Sequence, residues 1–406
     1  RIKRPKPEKP TAGVGFFVSS SSNNLSRYNF LYSVWQVRYN SAFIRQLPLP
    51  AMSLLSQTPI DDAINTQYRR IIRTRVLLVL MSVLAIGGSL LLDFTLGPSG
   101  LPIGELWQTL IHPMSASGGT RVIVWEIRLP YALMALLVGM ALGLAGAEMQ
   151  TILNNPLASP FTLGVSSAAA FGAALAIVLG IGIPGIPDAW FIPANAFIFA
   201  LLSALLLDGI TRWTRVATSG VVLFGIALVF TFNALVSMMQ FVADEDTLQG
   251  LVFWTMGSLA RASWEKLAVL ALAFICVGAW SMRSAWQLTA LRLGEDRAMS
   301  FGIDVRRLRL SSLLRISLLS ALSVAFVGPI GFIGLVAPHI SRLLFGEDHR
   351  FYLPGSILTG GLVLSLASVA SKNILPGIII PVGIVTSLVG VPFFLSIILR
   401  HRGSMS

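Results

Sequence analysis

The sequence carries little charge and almost no cysteine for its length. Only 12% of its 406 residues are charged, whereas soluble domains carry about 25%, so an ordinary soluble domain is excluded. The single cysteine, Cys276, lies in an apolar run and excludes an internal disulfide or a cysteine-built metal site. The four histidines are scattered without an HExxH array, and no metal ligands are predicted.

Long apolar runs take the place of charge, with 54% hydrophobic residues and a mean hydropathy of +0.76. A helix needs roughly 20 apolar residues to cross a bilayer, although some of the stretches that qualify here are shorter. They predict an all-α, polytopic membrane protein with about ten transmembrane helices. The ten stretches are Val76–Asp93, Pro130–Met149, Phe161–Ile183, Ala189–Asp208, Thr218–Phe241, Lys266–Met282, Ser312–Val327, Gly328–Phe345, Pro354–Ser371 and Ile380–Leu399. A break between the seventh and eighth rests on Gly328, Pro329, Gly331 and Gly334.

The net charge of +12 is divided among short basic clusters beside the apolar runs. Such clusters set the orientation of membrane proteins, so no nucleic-acid partner is expected. With both termini in the cytosol, the arginine-rich stretch 283–311 lies inside, and acids such as Asp244, Glu245 and Asp246 lie outside. This distribution agrees with the rule that basic residues lie on the cytosolic side, and it supports an even number of spans.

The first 51 residues differ from the rest. They are basic and Ser-rich, with Glu8 as the only acid, which is typical either of an organelle transit peptide or of an extension upstream of a start at Met52. We favour the extension, disordered or not native, and exclude 1–51 from the fold. Residues 52–75 are then a cytosolic leader, and 76–402 form the ten-helix domain.

A polar insert at 287–311 interrupts the apolar runs. Leu288–Met299 can form one short amphipathic helix that Gly302 ends, and Asp304 can cap the helix that follows. A lipid-facing segment cannot hold so many charges. The insert is therefore either an ordinary solvated loop or a docking surface for a soluble partner, and we favour docking.

The sequence lacks the residues that several functional classes of protein need. There is no P-loop, so the chain does not bind ATP through one. Asp93, Glu148, Asp208 and Lys372 fall at predicted span ends, whereas an ion-coupled secondary transporter usually needs carboxylates buried near the midplane. An intramembrane enzyme needs a paired Asp, Ser–His or zinc constellation, and His339 has no such partner in the pattern. An energy source outside the membrane is expected.

Six stretches resemble the FecCD-type permeases, the membrane subunits of ABC importers for iron–siderophores, haem and vitamin B12. The stretches are RLP (Arg128–Pro130), LVGMALGLAGAEMQTILNNPLASPFTLGVSS (Leu137–Ser167), FWTMGSLA (Phe253–Ala260), LGEDRAMSFGIDV (Leu293–Val305), GPIGFIGLVAPHISRLLFGEDHRFYLPGS (Gly328–Ser356) and IPVGIVTSLVGVPFFL (Ile380–Leu395). The resemblance runs from about Val76 to Arg402 and implies a type II ABC importer permease fold.

The resemblance also implies partners. They are a second permease subunit, identical or different, two cytosolic ATPase subunits that bind ATP and magnesium, and an extracytoplasmic binding protein. The chain itself is then not an enzyme and binds no cofactor, and it lies in the bacterial inner membrane. The wording of NNPLASP and GEDRAMSFGIDV favours an iron(III)–siderophore cargo, with haem or vitamin B12 as the alternative.

The same resemblance assigns three groups of site residues. The ATPase-docking positions are Leu293, Gly294, Glu295, Arg297, Ala298, Ser300, Gly302 and Ile303. Arg128 and Lys372 match outer positions that dock the binding protein, although Arg128 is equally well explained as a residue snorkelling at the interface. Asn233, Ser237, Met238 and Gln240 are the positions implied to line the pathway. Tyr131, Ala168 and Ile379 depart from the family pattern, which leaves the outer contacts and the cargo open.

Overall fold

The computed structural model describes residues 59–97, 100–214, 218–375 and 377–402. Within those ranges the regular structure is helical, apart from an isolated bridge between Leu375 and Ile378, which confirms the all-α prediction. The chain divides into a unit up to Ile71, of which the helical residues 59–71 are described, and a compact unit from Ile72 onward. The predicted extension at 1–51 lies outside the described residues.

The helices are numbered in chain order. They are α1 (Pro59–Thr95), α2 (Ile103–Ile111), α3 (Gly118–Val122), α4 (Leu129–Ile152), α5 (Val165–Leu179), α6 (Asp188–Thr214), α7 (Thr218–Val242), α8 (Glu245–Thr255), α9 (Trp264–Arg283), α10 (Ala285–Arg292), α11 (Glu295–Ser300), α12 (Val305–Val327), α13 (Ile333–Phe345), α14 (His349–Asn373) and α15 (Val382–Arg402). A π-helical turn, Ile123–Arg128, joins α3 to α4, and a 3₁₀ turn, Leu259–Arg261, precedes α9.

Each of the ten predicted spans coincides with one of these helices. Among the described residues, seven helices are long and apolar enough to cross a membrane, namely α1, α4, α6, α7, α9, α12 and α14. The other three predicted spans coincide with shorter apolar helices, α5, α13 and the first part of α15. Helix α5 has only 15 residues because it lies between Gly164 and Gly180, which both adopt left-handed backbone conformations that end a helix.

The predicted break between the seventh and eighth spans is confirmed. Helix α12 ends at Val327, and Gly328 follows with a φ of 81°. Helix α13 begins only after Phe332, whose φ of 67° is uncommon for a residue with a side chain. The eighth span is consequently shorter than predicted, since α13 has 13 residues.

Helix α4 lies at the centre of the packing, against α9, α12, α13 and α14. Its glycines remove the side chains that would hold those neighbours away. A Cβ atom at Gly139 would overlap the carbonyl oxygen of Gly360, and a Cβ atom at Gly146 would overlap that of Gly334. Small residues at such contacts allow close packing between helices that have no hydrophobic drive to associate in lipid.

The polar insert forms two helices, so the prediction of one helix over Leu288–Met299 was wrong. Gly294, with a φ of 118°, separates α10 from α11. The break turns the exposed Met299 away from the face that Leu288 buries. The predicted end and cap are both present: Gly302 has a φ of 78°, and the Asp304 carboxylate accepts a hydrogen bond from the Arg307 backbone N–H at 3.0 Å.

Candidate functional site

Residues 285–303, here called the docking segment, present an apolar surface. The exposed fractions of Trp286, Leu293, Met299 and Phe301 lie between 54% and 59%. The Trp286 and Phe301 rings are in contact, with centroids 6.3 Å apart, so α10 and the end of α11 contribute to one patch. An exposed apolar patch beside charged residues is typical of a protein-binding surface.

The eight predicted docking positions fall into two groups in the structure. Leu293, Gly294, Glu295, Arg297, Ser300 and Gly302 are exposed, whereas Ala298 and Ile303 are buried. The buried pair holds the segment against its own chain and does not reach its surface. Trp286, Met299 and Phe301 were not among the predicted positions, although large apolar residues in and next to a polar insert were a visible signal.

A buried histidine joins the docking segment to the helices behind it. His349, the first residue of α14, is 1% exposed. Its Nε2 atom lies 2.8 Å from the Thr151 hydroxyl on α4, and its Nδ1 atom lies 3.2 Å from the Thr289 hydroxyl on α10. The His349 backbone N–H also donates to Thr289 Oγ1 at 3.0 Å. The three helices are thereby linked through one side chain.

A second set of contacts lies nearer the surface. Arg292 of α10 donates to the Asn154 side chain and to Glu347 Oε1, the latter at 3.2 Å. Arg342 of α13 also approaches Glu347, with a separation of 3.6 Å. Farther along the segment, Glu295 forms an ion pair with Arg309. These bonds hold both halves of the docking segment to the bundle.

Asp348 caps α14 next to the same region. Its carboxylate accepts a hydrogen bond from the Arg350 backbone N–H at 3.0 Å, and Arg75 lies 3.9 Å away. Burial alone would raise the pKa of this carboxyl, but the hydrogen bonds from Arg350 and the charges of Arg350 and Arg75 outweigh it and lower the pKa. The cap is therefore an anion at neutral pH.

Arg128 and Lys372, predicted to dock a binding protein, are buried, and neither presents its charge at the protein surface. Lys372 Nζ lies 3.0 Å from Asp93 Oδ1 and 4.3 Å from the centroid of the Tyr131 ring. Arg128 Nη1 donates to the carbonyl oxygen of Thr95 at 2.8 Å. These contacts tie α1, α4 and α14 together. Their burial was not expected from the sequence, and their docking role stays a prediction.

Two charged groups near the ends of predicted spans are buried inside the protein, which the sequence interpretation did not anticipate. Arg315 of α12 and Glu148 of α4 form an ion pair and are both 1% exposed. The argument against an ion-coupled transporter therefore cannot rest on an absence of buried charge alone. Arg315 was overlooked because it lies near one end of an apolar stretch.

The residues predicted to line a pathway share part of one helix surface. Asn233, Ser237 and Met238 of α7 are exposed in this single chain, and Gln240 is half-buried. Asn233, Ser237 and Gln240 follow a spacing of four and three residues, which places them on one face of the helix. The structure brings them together but does not place them beside the docking segment.

A cavity of about 680 Å³ opens where four chain segments meet. Its lining is mostly apolar and includes Phe161, Met256, Pro329, Ser387, Leu388 and Val391. Main-chain hydrogen bonds join the neighbouring segments: Ser258 N–H donates to Val327 O at 2.7 Å, and Gly383 N–H donates to Gly257 O at 3.2 Å. The cavity offers few polar groups to a ligand.

Arg261 secures the same junction. Its guanidinium donates to Phe253 O at 2.9 Å and to Val327 O at 3.2 Å. Burial lowers the pKa of Arg261 to about 10, so the group remains charged at neutral pH. Among the described residues, no group of three or more His, Cys, Asp or Glu side chains could hold a metal ion.

Comparisons with known proteins agree with this architecture. The model of the FecCD transport family matches residues 77–400. The hemin transport system permease protein HmuU of Yersinia pestis is 36% identical over 330 residues, which cover 81% of this chain and 96% of the relative. The vitamin B12 import system permease protein BtuC of Vibrio cholerae is 38% identical over 306 residues, covering 75% and 90%.

A solved structure shares the fold. It is a metal-chelate type ABC transporter in an inward-facing conformation, 30% identical in sequence, with a TM-score of 0.68. The match covers 80% of this chain and 99% of the solved chain. The likeness therefore extends over nearly the whole of the solved protein.

Proposed function

The chain belongs to the FecCD transport family and is a multi-pass ABC importer permease, and we propose that it carries an iron(III)–siderophore complex across the cytoplasmic membrane. The wording of Asn154–Pro160 and Leu293–Val305, which resembles siderophore permeases, supports this cargo. Haem or a corrinoid is the second candidate, because the two named relatives are hemin and vitamin B12 permeases.

The exposed apolar patch on the docking segment carries the proposal of an ATPase partner. The patch lies on two short helices that are bonded to α4, α12 and α14, so it is a firm surface and not a loose loop. A soluble ATPase that buries Phe301 and Met299 can displace these helices together as ATP binds. Such a displacement passes to the bundle as a rigid-body motion.

A second permease subunit would cover the apolar surfaces that a single chain leaves open. On α7, Phe230 is 72% exposed and Phe241 is 90% exposed, and on α15 the exposed residues include Leu388 and Val389. These faces lie beside the polar positions of α7 and the cavity. We place the pathway between two such faces, with both termini of the chain in the cytosol.

For Arg128 and Lys372 the docking role stays a proposal, and their burial favours other residues as the outer contacts. Both basic groups have buried partners within the chain, and exposing either one would leave those partners unsatisfied. The exposed residues of the connections between spans, which include α2 and α8, are the favoured alternative.

Uptake in whole cells tests the cargo. Cells that lack their own permeases would receive this chain with its ATPase and binding protein, and would be offered iron-55 siderophores, hemin and cobalamin. Accumulation of an iron–siderophore complex that stops when the ATPase is inactivated supports the proposal. Accumulation of hemin or cobalamin alone replaces the cargo with the second candidate.

Two further arms test the energy source. Uptake that continues after an ionophore collapses the ion gradients, while cellular ATP is maintained, supports the ATP-driven mechanism. Uptake that needs the gradient and ignores ATPase inactivation contradicts it.

A further inference from the structure

The carboxyl-terminal end of α4 is a meeting point of four other elements. Four polar side chains there each contact a partner from a different part of the chain: Glu148 contacts Arg315 of α12, Gln150 contacts Arg342 of α13, Thr151 contacts His349 of α14, and Asn154 contacts Arg292 of α10. The two contacts that lead to the docking segment are those of Thr151, through His349, and of Asn154.

These two links differ in their surroundings. Asn154 is exposed and Arg292 is partly exposed, so water competes for their hydrogen bond. His349 and Thr151 are buried, and Thr289 is half-buried, so the histidine link is shielded from water. A hydrogen bond in such surroundings is stronger, and it is costly to break because its donor and acceptor cannot form replacement bonds with water.

The hydroxyls of Thr151 and Thr289 contact the two nitrogens of the His349 ring. Thr151 Oγ1 lies 2.8 Å from the Ala147 carbonyl, and Thr289 Oγ1 lies 2.9 Å from the Ala285 carbonyl. A neutral imidazole has a single N–H, so one threonine accepts that N–H while it donates to its helix carbonyl, and the other donates its only proton to the second ring nitrogen. A displacement of α10 must therefore move the ring, and the ring must move α4, or one of these bonds must break.

We infer that His349 is a positioning residue that transmits the displacement of the docking segment to α4, with Thr289 and Thr151 as its two contacts. The inference rests on the proposed function, because it needs an ATPase that moves the segment. The ATPase itself does not touch His349. Breaking either contact leaves the docking patch intact but separates its movement from that of the bundle.

Isosteric threonine variants test the link. Thr289→Val and Thr151→Val each remove one hydroxyl with little change of volume. Thr151 lies on α4, outside the docking segment, so we expect Thr151→Val to leave ATPase binding and the basal hydrolysis of Mg-ATP unchanged. In both variants the amount of iron-55 siderophore, hemin or cobalamin taken up per ATP hydrolysed should fall about fivefold or more, within the usual range for coupling between two sites.

The controls separate coupling from folding. Thr289→Ser keeps the hydroxyl and should restore the wild-type ratio. Thr359→Val removes a buried hydroxyl that bonds only to Gly355 within α14, and it should leave the ratio unchanged. The double variant Thr289→Val/Thr151→Val should be no worse than either single variant, since the two contacts act in series.

Each other outcome overturns the inference. A normal ratio in Thr289→Val shows that the link carries no displacement. Loss of ATPase binding in Thr151→Val, or an equal defect in Thr359→Val, shows a purely structural role. Additive losses in the double variant show two independent contacts. If the wild-type complex takes up none of the three probes, the proposed function fails instead, and that result is recognised before any variant is compared.

Discussion

Glu148 on α4 and Arg315 on α12 form a buried, two-pronged ion pair. Arg315 Nη2 lies 2.8 Å from Glu148 Oε2, and Arg315 Nε lies 3.0 Å from both carboxylate oxygens. The guanidinium also lies 5.1 Å from the ring centroid of Trp280 on α9. Two buried charges are costly to desolvate, and this cost is offset only while the two charges remain paired.

Glu148→Gln should destabilise the protein strongly. The substitution keeps the shape of the side chain but leaves the Arg315 guanidinium without its counter-charge, and breaking a buried pair in this way costs about 3–5 kcal/mol. We expect a clear fall in the thermal unfolding midpoint of the purified protein in detergent. The double variant Glu148→Gln/Arg315→Met should recover much of the loss. A Glu148→Gln midpoint equal to wild type would contradict the role given to the pair.

Gly146→Ala should disrupt the packing of α4. The added Cβ atom would overlap the Gly334 carbonyl oxygen, and relief of that overlap needs backbone movement, at a cost of about 1–3 kcal/mol or more. The yield of folded protein after size-exclusion chromatography measures the effect. Gly278→Ala on α9 is the matched control, because its Cβ would meet nothing within 4 Å. Equal yields from the two variants would refute the close contact.

Phe301→Ala should weaken binding of the ATPase. Its ring is 57% exposed on the docking segment, and a buried aromatic anchor contributes about 2 kcal/mol or more to an interface, which is roughly 30-fold in Kd. Surface plasmon resonance on nanodisc-embedded protein measures the affinity. Leu272→Ala on α9, also an exposed apolar residue, serves as the control and should bind normally. Unchanged affinity for Phe301→Ala would exclude the patch from the interface.

Asp348 should contribute stability that depends on pH. Its pKa is lower in the folded protein than in the unfolded chain, so its contribution is fully present above the unfolded value and is lost as the pH falls through the folded value, below about pH 4. Asp348→Asn keeps a capping oxygen but loses the charge. The stability difference between the two proteins, at most about 1 kcal/mol for a partly exposed group, should shrink on acidification. A difference that stays constant from pH 7 to pH 3 would argue against the charge.

The apolar helices were predictable because each leaves a local pattern in the sequence. The signal and the structure that it specifies lie close together in the sequence. Examples are the runs of about 20 apolar residues, the glycines after Val327 and the Asp304 cap. Helices α2 and α8 were missed because they are short and lie in connections, where no membrane imposes a length. Gly294 could have predicted the division of the docking segment, since a glycine favours a left-handed break.

The polar contacts were not predictable in the same way. Glu148 and Arg315 are 167 residues apart, and Asp93 and Lys372 are 279 residues apart. Only the packed bundle brings them together, so a charge near a helix end looks the same in sequence whether it faces water or a buried partner. The burial of Arg128 could not be predicted for this reason, since its bond to the Thr95 carbonyl depends on the packing of the bundle.

The glycine contacts between α4 and α14 also limit how the protein can change shape. At Gly139, Gly143 and Gly360 the two backbones touch directly, with no layer of side chains between them that could change rotamer. Sliding one helix past the other would bring a larger residue into a gap that fits only hydrogen atoms. We therefore expect α4 and α14 to keep one register and to move as a unit when the protein changes shape.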